Sequence, residues 1–327
     1  MPLVRSFHTM KKQILVLGSV NADHVLRVSQ FPRPGETITG HSYNIISGGK
    51  GANQAVACAR LGGSTQFMAC VGDDGFGHQV IRQFVEDGIN TETVEPIAGV
   101  NTGVALIFVD QRAENFIGIA AEANNRLNRE FVIDHQKAIK DADYLLTQLE
   151  TPEDGIITAA KIARENQTFV VLNPAPAKPL SDDLLSNIDM ITPNQTEAEM
   201  LTGVVVQGQS SASQAAQVLH DKGISIVIIT MGSQGAFTSM IVEGQLSQEM
   251  IAPYRVEPVD TTAAGDTFNG GLLVSLCEGS NMTSAVRFAN ACGALSVMRH
   301  GAQTSIPSRV EVETFMSVQT ESHQRHI

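Results

Sequence analysis

Short apolar runs recur along this chain, with helix-length stretches between them. The first is Gln13-Ile14-Leu15-Val16-Leu17-Gly18, an apolar run closed by glycine, which reads as a buried strand. Similar runs stand at Val104–Val109, Phe169–Leu172, Met190–Thr192 and Ile224–Thr230. Helical patterns stand at Ala52–Leu61, Gly77–Asp87, Glu153–Asn166 and Ser211–Lys222. Strand alternating with helix predicts an α/β fold, a mostly parallel central sheet covered by helices on both faces. Only 3 Tyr, 13 Phe and no Trp occur among 327 residues, so Ala, Val, Ile, Leu and Gly must fill the core. Small aliphatic side chains suit helices packed on parallel strands.

Two regions break the alternation, at 21–46 and about 97–120. They alternate in polarity or carry turn residues, as in Phe31-Pro32-Arg33-Pro34-Gly35. They predict antiparallel strands inserted into the α/β body as a small β-sheet lid, since closure over a substrate excludes water. The folded unit is expected over 13–316, with 1–12 a loose N-terminal extension and 317–327 a C-terminal tail. His323 and His326 lie in that tail and are not expected to bind metal.

The formal net charge is −12, and no Lys/Arg cluster stands out. Nucleic-acid binding needs a basic surface, so that class is excluded. An anionic substrate would meet an unfavourable overall field, so any phosphate site must be local, built from helix N-termini, a few Lys and bound cations. Cys58, Cys70, Cys277 and Cys292 form no CxxC pair and read as buried free thiols, the pattern of a cytoplasmic protein. No signal-peptide h-region stands at the N-terminus, and no apolar run approaches the roughly 20 residues of a membrane span.

Four strings carry chemistry. The strongest is Val259-Asp260-Thr261-Thr262-Ala263-Ala264-Gly265-Asp266-Thr267-Phe268-Asn269-Gly270-Gly271, followed by an apolar helical stretch, Leu272–Cys277. Small residues at a helix start leave unpaired amides and roughly +0.5 charge facing outward, which is an anion site. Asp266 beside it either takes a proton from an attacking hydroxyl or simply caps the helix. The second string is Ser47-Gly48-Gly49-Lys50-Gly51-Ala52-Asn53-Gln54-Ala55. Its glycines admit a close ligand and Lys50 supplies charge, though a flexible turn before a helix would look the same. It is not a Walker A loop, because Gly51 stands where Ser or Thr should follow the Lys.

The third string, Gly18-Ser19-Val20-Asn21-Ala22-Asp23, leaves the first strand and lacks the second and third glycines of a dinucleotide fingerprint, which disfavours a Rossmann dehydrogenase. Asn21 and Asp23 either hold vicinal hydroxyls or cap a loop. The fourth pairs Thr192-Pro193-Asn194-Gln195-Thr196-Glu197 with Thr230-Met231-Gly232-Ser233-Gln234-Gly235. Asn194 and Glu197 fit a capping box or a contact to hydrated Mg²⁺ near phosphates. The glycine turn after Thr230 is a natural place for nucleotide contacts.

Together these strings resemble the ribokinase (PfkB) family of carbohydrate kinases over about residues 13–315. The carriers are Gly-Gly-Lys-Gly-Ala-Asn at 48–53, Asn-x-x-Glu at 194–197 and Asp-Thr-x-Ala-Ala-Gly-Asp-Thr-Phe-Asn-Gly at 260–270. The resemblance implies a ribokinase-like three-layer sandwich whose small sheet serves as lid and as the clasp of a homodimer. It implies transfer of the ATP γ-phosphoryl group to the 5-hydroxyl of D-ribose, with Mg²⁺ and with K⁺ as monovalent activator. By position, Asn21, Ala22, Asp23, Gly49, Lys50, Gly51, Ala52, Asn53 and Glu150 would form the sugar site. Asn194, Thr230, Met231, Gly232, Ser233, Gln234, Gly235 and Asn290 would line the nucleotide site, with Glu197 near Mg²⁺. Asp266 would be the base, and Ala263, Ala264 and Gly265 the anion hole. Asp260, Thr262, Ser296, Arg299, Gly301 and Ser305 would hold the monovalent cation, largely through carbonyl oxygens. The alternatives are a kinase of deoxyribose, fructose or a nucleoside, and a noncatalytic ribose-binding regulator; the intact Gly265-Asp266 argues against the last.

Overall fold

The structure, a computed structural model, describes residues 11–112 and 114–324, the side chains of 320–324 excepted. Residues 1–10 of the expected extension, and His326, lie outside the described residues. In chain order the strands are β1 (Gln13–Leu17), β2 (Asn21–Arg27), β3 (Ser42–Gly48), β4 (Ser64–Gly72), β5 (Asn90–Ile97), β6 (Gly103–Val109) and β7 (Asn115–Ala120). They continue with β8 (Tyr144–Thr147), β9 (Phe169–Leu172), β10 (Met190–Ile191), β11 (Ile226–Thr230), β12 (Ala236–Val242) and β13 (Gln245–Ile251). The helices of eight residues or more are α1 (Lys50–Arg60), α2 (Gly75–Glu86), α3 (Glu153–Glu165), α4 (Gln195–Thr202), α5 (Gln209–Asp221), α6 (Ala264–Cys277), α7 (Met282–Ser296) and α8 (Arg309–Gln324). The last of these runs through the start of the tail expected at 317, so the folded chain extends further than the sequence suggested.

Nine strands form the large sheet in the order β13-β12-β11-β10-β9-β8-β1-β4-β5. Pairing is parallel from β11 to β5, and β12 and β13 close one edge as an antiparallel hairpin. Successive β1 side chains point to opposite faces, as the two-residue strand period requires. Ile14 and Val16 join a core with α1, α6 and α7, whereas Leu15 and Leu17 join a second core with α3 and α5. Two cores on the two faces of one sheet make the expected three-layer sandwich. Among the described residues no helix is long and apolar enough to cross a membrane.

The other four strands form the small sheet, in the order β3-β2-β6-β7. The run at Val104–Val109, inside the lid region at about 97–120, forms β6 of this small sheet. One expectation changes here. The inserted strands are not all antiparallel, since β2 and β6 pair in parallel, Asn21 opposite Gly103 through Arg27 opposite Val109. The reason is topological. β2 follows β1 and β6 follows β5, so both leave the same edge of a parallel sheet in the same direction.

α1 and α6 approach closely because their contact residues are small. A Cβ at Gly270 would stand 2.5 Å from the Ala57 Cβ and 2.9 Å from the Cys58 backbone nitrogen. Glycine at 270 is therefore the condition for the distance between these two helices, which carry the two strongest motifs at their N-termini.

Candidate active site

The turn out of β1 and the turn into α1 meet at the C-terminal edge of the large sheet, the place where open α/β sheets bind ligands. Gly49 links β3 to α1 with φ 92°, and a Cβ there would lie 2.7 Å from the Ser19 carbonyl oxygen. Only glycine fits. Glu150, at the end of β8, accepts hydrogen bonds from Ser19 Oγ (2.5 Å) and from the Lys50 amide (3.0 Å), tying the two turns together. Asn124 accepts from the Val20 amide and donates to Asn21 Oδ1 (2.8 Å), which fixes the Asn21 amide.

Asp23, Lys50, Glu150 and Asp266 form one electrostatic cluster. Burial, then the neighbouring Glu150, push the Asp23 carboxyl up to about 7. Burial works against the Lys50 ammonium, but Asp266, Glu150, Glu197 and Asp23 outweigh it and hold its pKa above the ordinary value. A lone cation among four carboxylates stays charged.

Asp266 is not the helix cap. Ala263 holds that position in a left-handed conformation (φ 59°), and Asp266 is the third residue of α6, 7% exposed. Its carboxylate is held from α1 instead: Asn53 Nδ2 donates to Oδ2 and Gln54 Nε2 to Oδ1, each at 2.9 Å. Ala264 and Gly265, the first two residues of α6, line a cleft of about 640 Å³. The N-terminus of this 14-residue helix, with its dipole, thus opens on that cleft, and the Ala264 amide also donates to the Thr261 carbonyl (3.3 Å).

The same cleft is lined by Thr230, Gly232, Ser233, Gly235 and Asn290, five of the residues expected around a nucleotide. Asn290 Nδ2 donates to the Ala252 carbonyl (3.1 Å). Met231 turns away and is buried in the core beneath β11, and Ala22 and Ala52 are likewise buried, Ala52 bonding through its amide to the Ser19 carbonyl (2.9 Å). Sequence reasoning missed Tyr254, Val256, Pro258 and Val297, which line the cleft together with Phe268. Pro253 and Pro258 bracket the non-helical segment that carries the first three and were its only signal.

Asn194 and Glu197 form a true capping box at the start of α4: Asn194 Oδ1 accepts from the Glu197 amide (2.9 Å), and Glu197 Oε2 from the Asn194 amide (2.8 Å). Burial lifts the Glu197 carboxyl above its ordinary range, against the Asn194 amide and Lys50, which lower it. Among the described residues no cluster of three or more His, Cys, Asp or Glu side chains could cage a metal.

Asp260 joins two loops behind α6. Its Oδ1 accepts from the Thr262 amide (2.9 Å) and hydroxyl (2.6 Å), and its Oδ2 from the Gly301 amide (3.0 Å). These bonds hold its carboxyl below the usual range against the opposing effect of burial. Ser296 ends α7, its carbonyl accepting from the Arg299 amide (3.2 Å), and the Ser305 hydroxyl is fully buried.

The model of the pfkB family of carbohydrate kinases matches residues 11–309. A ribokinase of Haemophilus influenzae is 49% identical over 307 residues, which cover 94% of this chain and 99% of that protein. A deoxyribokinase of Salmonella typhi is 35% identical over 307 residues, covering 93% and 99%. The solved structure of Arabidopsis thaliana ribokinase complexed with ribose and ATP matches with a TM-score of 0.86 at 32% identity, covering 94% and 99%. A family match over residues 11–309, with 49% identity to a ribokinase across nearly the whole chain, places this protein in the pfkB family of carbohydrate kinases.

Proposed function

We propose that this protein phosphorylates D-ribose at O5 with ATP, giving D-ribose 5-phosphate and ADP. The observation that carries the reading is Asp266 itself, held by two amides between the hydroxyl-binding cluster and the amide-lined cleft. Support for ribose comes from the 49% identity to a ribokinase, against 35% to a deoxyribokinase.

Asn21, Asp23, Lys50, Asn53 and Glu150 orient the sugar so that its 5-hydroxyl meets Asp266. Asp266 takes the hydroxyl proton as the oxygen attacks the γ-phosphorus, and the bond to the bridging oxygen breaks, leaving its electron pair on ADP. The amides of Ala263, Ala264 and Gly265 form the anion hole for the equatorial oxygens of the transferring group, where charge is spread in the transition state. Thr230, Gly232, Ser233, Gly235 and Asn290 hold the nucleotide. Mg²⁺, held by the phosphates and by Glu197 through water, would supply charge neutralisation, and K⁺ between Asp260 and the 296–305 loop would strengthen the anion hole. Lys50 adds a fixed positive charge.

One face of the small sheet turns Tyr43, Ile45, Leu106 and Phe116 to solvent, each at least half exposed, while Ile117 and Ile119 point to the other face. A contiguous apolar face of this kind marks a protein contact. It supports pairing with a second copy through this sheet. The four free cysteines, three of them fully buried, support residence in the reducing cytoplasm.

Four outcomes are expected. Asp266→Asn binds ribose but turns over roughly 10²–10⁴-fold more slowly, the usual scale for a general base; parental turnover, assayed across ribose, 2-deoxyribose, fructose and adenosine, would remove the assignment. Asp23 must be ionised to accept sugar hydroxyls, and in the free protein it is protonated below about 7. The kcat/KM for ribose therefore falls as pH drops below that value and levels off above it, and an Asp23→Asn variant lacks this limb. K⁺ raises both the rate and the melting temperature relative to a bulky organic cation, and Asp260→Asn loses both responses; equal rates and equal melting in the two buffers would exclude a functional cation site. Leu106→Glu with Phe116→Glu, two changes on one face, converts a dimer to a monomer in sedimentation velocity, whereas an unchanged sedimentation coefficient would discount the clasp.

A further inference from the structure

Gln54 was not among the residues expected to act on substrate, and it is completely buried. Its side chain is nevertheless part of a directed chain of amides that ends on Asp266. The direction follows from groups that can play only one role. The Thr192 backbone carbonyl can only accept, and it accepts from Asn173 Nδ2 (3.2 Å). Asn173 must then show its Oδ1 to Gln54. That oxygen only accepts, so Gln54 presents Nε2, at 2.9 Å. The second hydrogen of the same Nε2 goes to Asp266 Oδ1, also at 2.9 Å. The opposite end of the Gln54 amide, Oε1, accepts from Gln148 Nε2 at 2.6 Å. A reversed Gln54 would aim its oxygen at two acceptors and its NH₂ at a donor, with Gln54, Gln148 and Asn173 at 0%, 1% and 6% exposure and water excluded.

We propose that Gln54, oriented by Asn173 and Gln148, is a positioning residue that sets the plane and rotamer of the Asp266 carboxylate for proton abstraction. The inference rests on the reading of Asp266 as base. Asn53 holds the other carboxylate oxygen but stands in the sugar-side motif, whereas Gln54 is sealed from both substrates and acts only through Asp266. The relay spans three elements, because Gln54 lies on α1, Gln148 follows β8 and Asn173 follows β9. The C-terminal edge of the large sheet is thereby coupled to the reacting carboxylate.

The test uses Gln54→Met, Gln148→Met and the double variant, near-isosteric changes that remove the donors, with Asp266→Asn measured alongside. Gln54→Met is expected to lower kcat about 10- to 100-fold, the scale of one hydrogen bond to a charged group, while the KM for ribose changes far less. The acidic limb of its kcat profile moves to higher pH, because the ionised base has lost a donor. Gln148→Met gives a smaller loss of the same kind, and adding it to Gln54→Met costs nothing further, since it acts through an amide no longer there. A parental kcat and pH profile in Gln54→Met, or a Gln148→Met effect equally large in both backgrounds, overturns the relay. Should Gln54→Met fail to fold, Gln148→Met, which touches neither Asp266 nor Asn173, carries the same pH-profile test. An active Asp266→Asn variant removes the base reading; an inactive one beside an unaffected Gln54→Met removes the relay alone.

Discussion

Two hydrogen bonds from α1 to the Asp266 carboxylate hold this structure's functional geometry together. They join the helix that begins at the Gly49 turn to the helix whose N-terminus opens on the cleft. Without them a buried carboxylate would lack partners, and an unpaired buried charge is among the most costly features a fold can carry. With them both oxygens are met from one side, and the remaining lone pairs are left for a substrate hydroxyl. The third position of α6 adds the favourable end of the helix dipole, so the ionised form is held by amides and dipole together.

The surrounding electrostatics follow from the same crowding. Asp23, Glu150 and Glu197 stand near Asp266 with Lys50 as the cation among them, in a chain whose net charge is −12. A pocket of this kind repels an anionic nucleotide unless positive potential is concentrated where the phosphates lie. Lys50 and the α6 N-terminus supply it locally, and the Asp260 loops lie behind that same helix start. The overall acidity and the anion site are thus compatible because the one is diffuse and screened while the other is short-ranged and dehydrated.

The alternation of strands and helices was legible because unbroken apolar runs such as those in β1 and β11 carry their own signal. β4 and β8 were not. β4 mixes Ser64, Thr65 and Gln66 with apolar residues, and β8 sets two leucines between Tyr144 and Thr147, so neither reads as an unbroken apolar run although both flank β1. The β12–β13 hairpin was hidden by polar residues on an edge, where one face needs no apolar pattern. The reacting carboxylate and the glycine turns were visible as strings. The amides that orient them were not, since Gln54, Gln148 and Asn173 meet across separations of 94 and 119 residues and no local pattern marks such a meeting. Asn124, 103 residues from Asn21, escaped for the same reason.

The shortage of aromatic residues has a reason in the site. For Asn53 and Gln54 to reach Asp266, the axes of α1 and α6 must come close, and close helices need small residues at the crossing. At the crossing Gly270 of α6 meets Ala57 of α1, and Gly51, Ala52, Ala55 and Gly271 on the same two helices are buried as well. Gly51 lies so near the end of β1 that a Cβ would stand 2.4 Å from the Gly18 carbonyl carbon, and Gly271 abuts Cys292 of α7 in the same way. Larger side chains would part the helices by more than a hydrogen bond can span. An Ala- and Gly-rich core is therefore the packing condition under which a buried carboxylate on one helix can be held by amides on another.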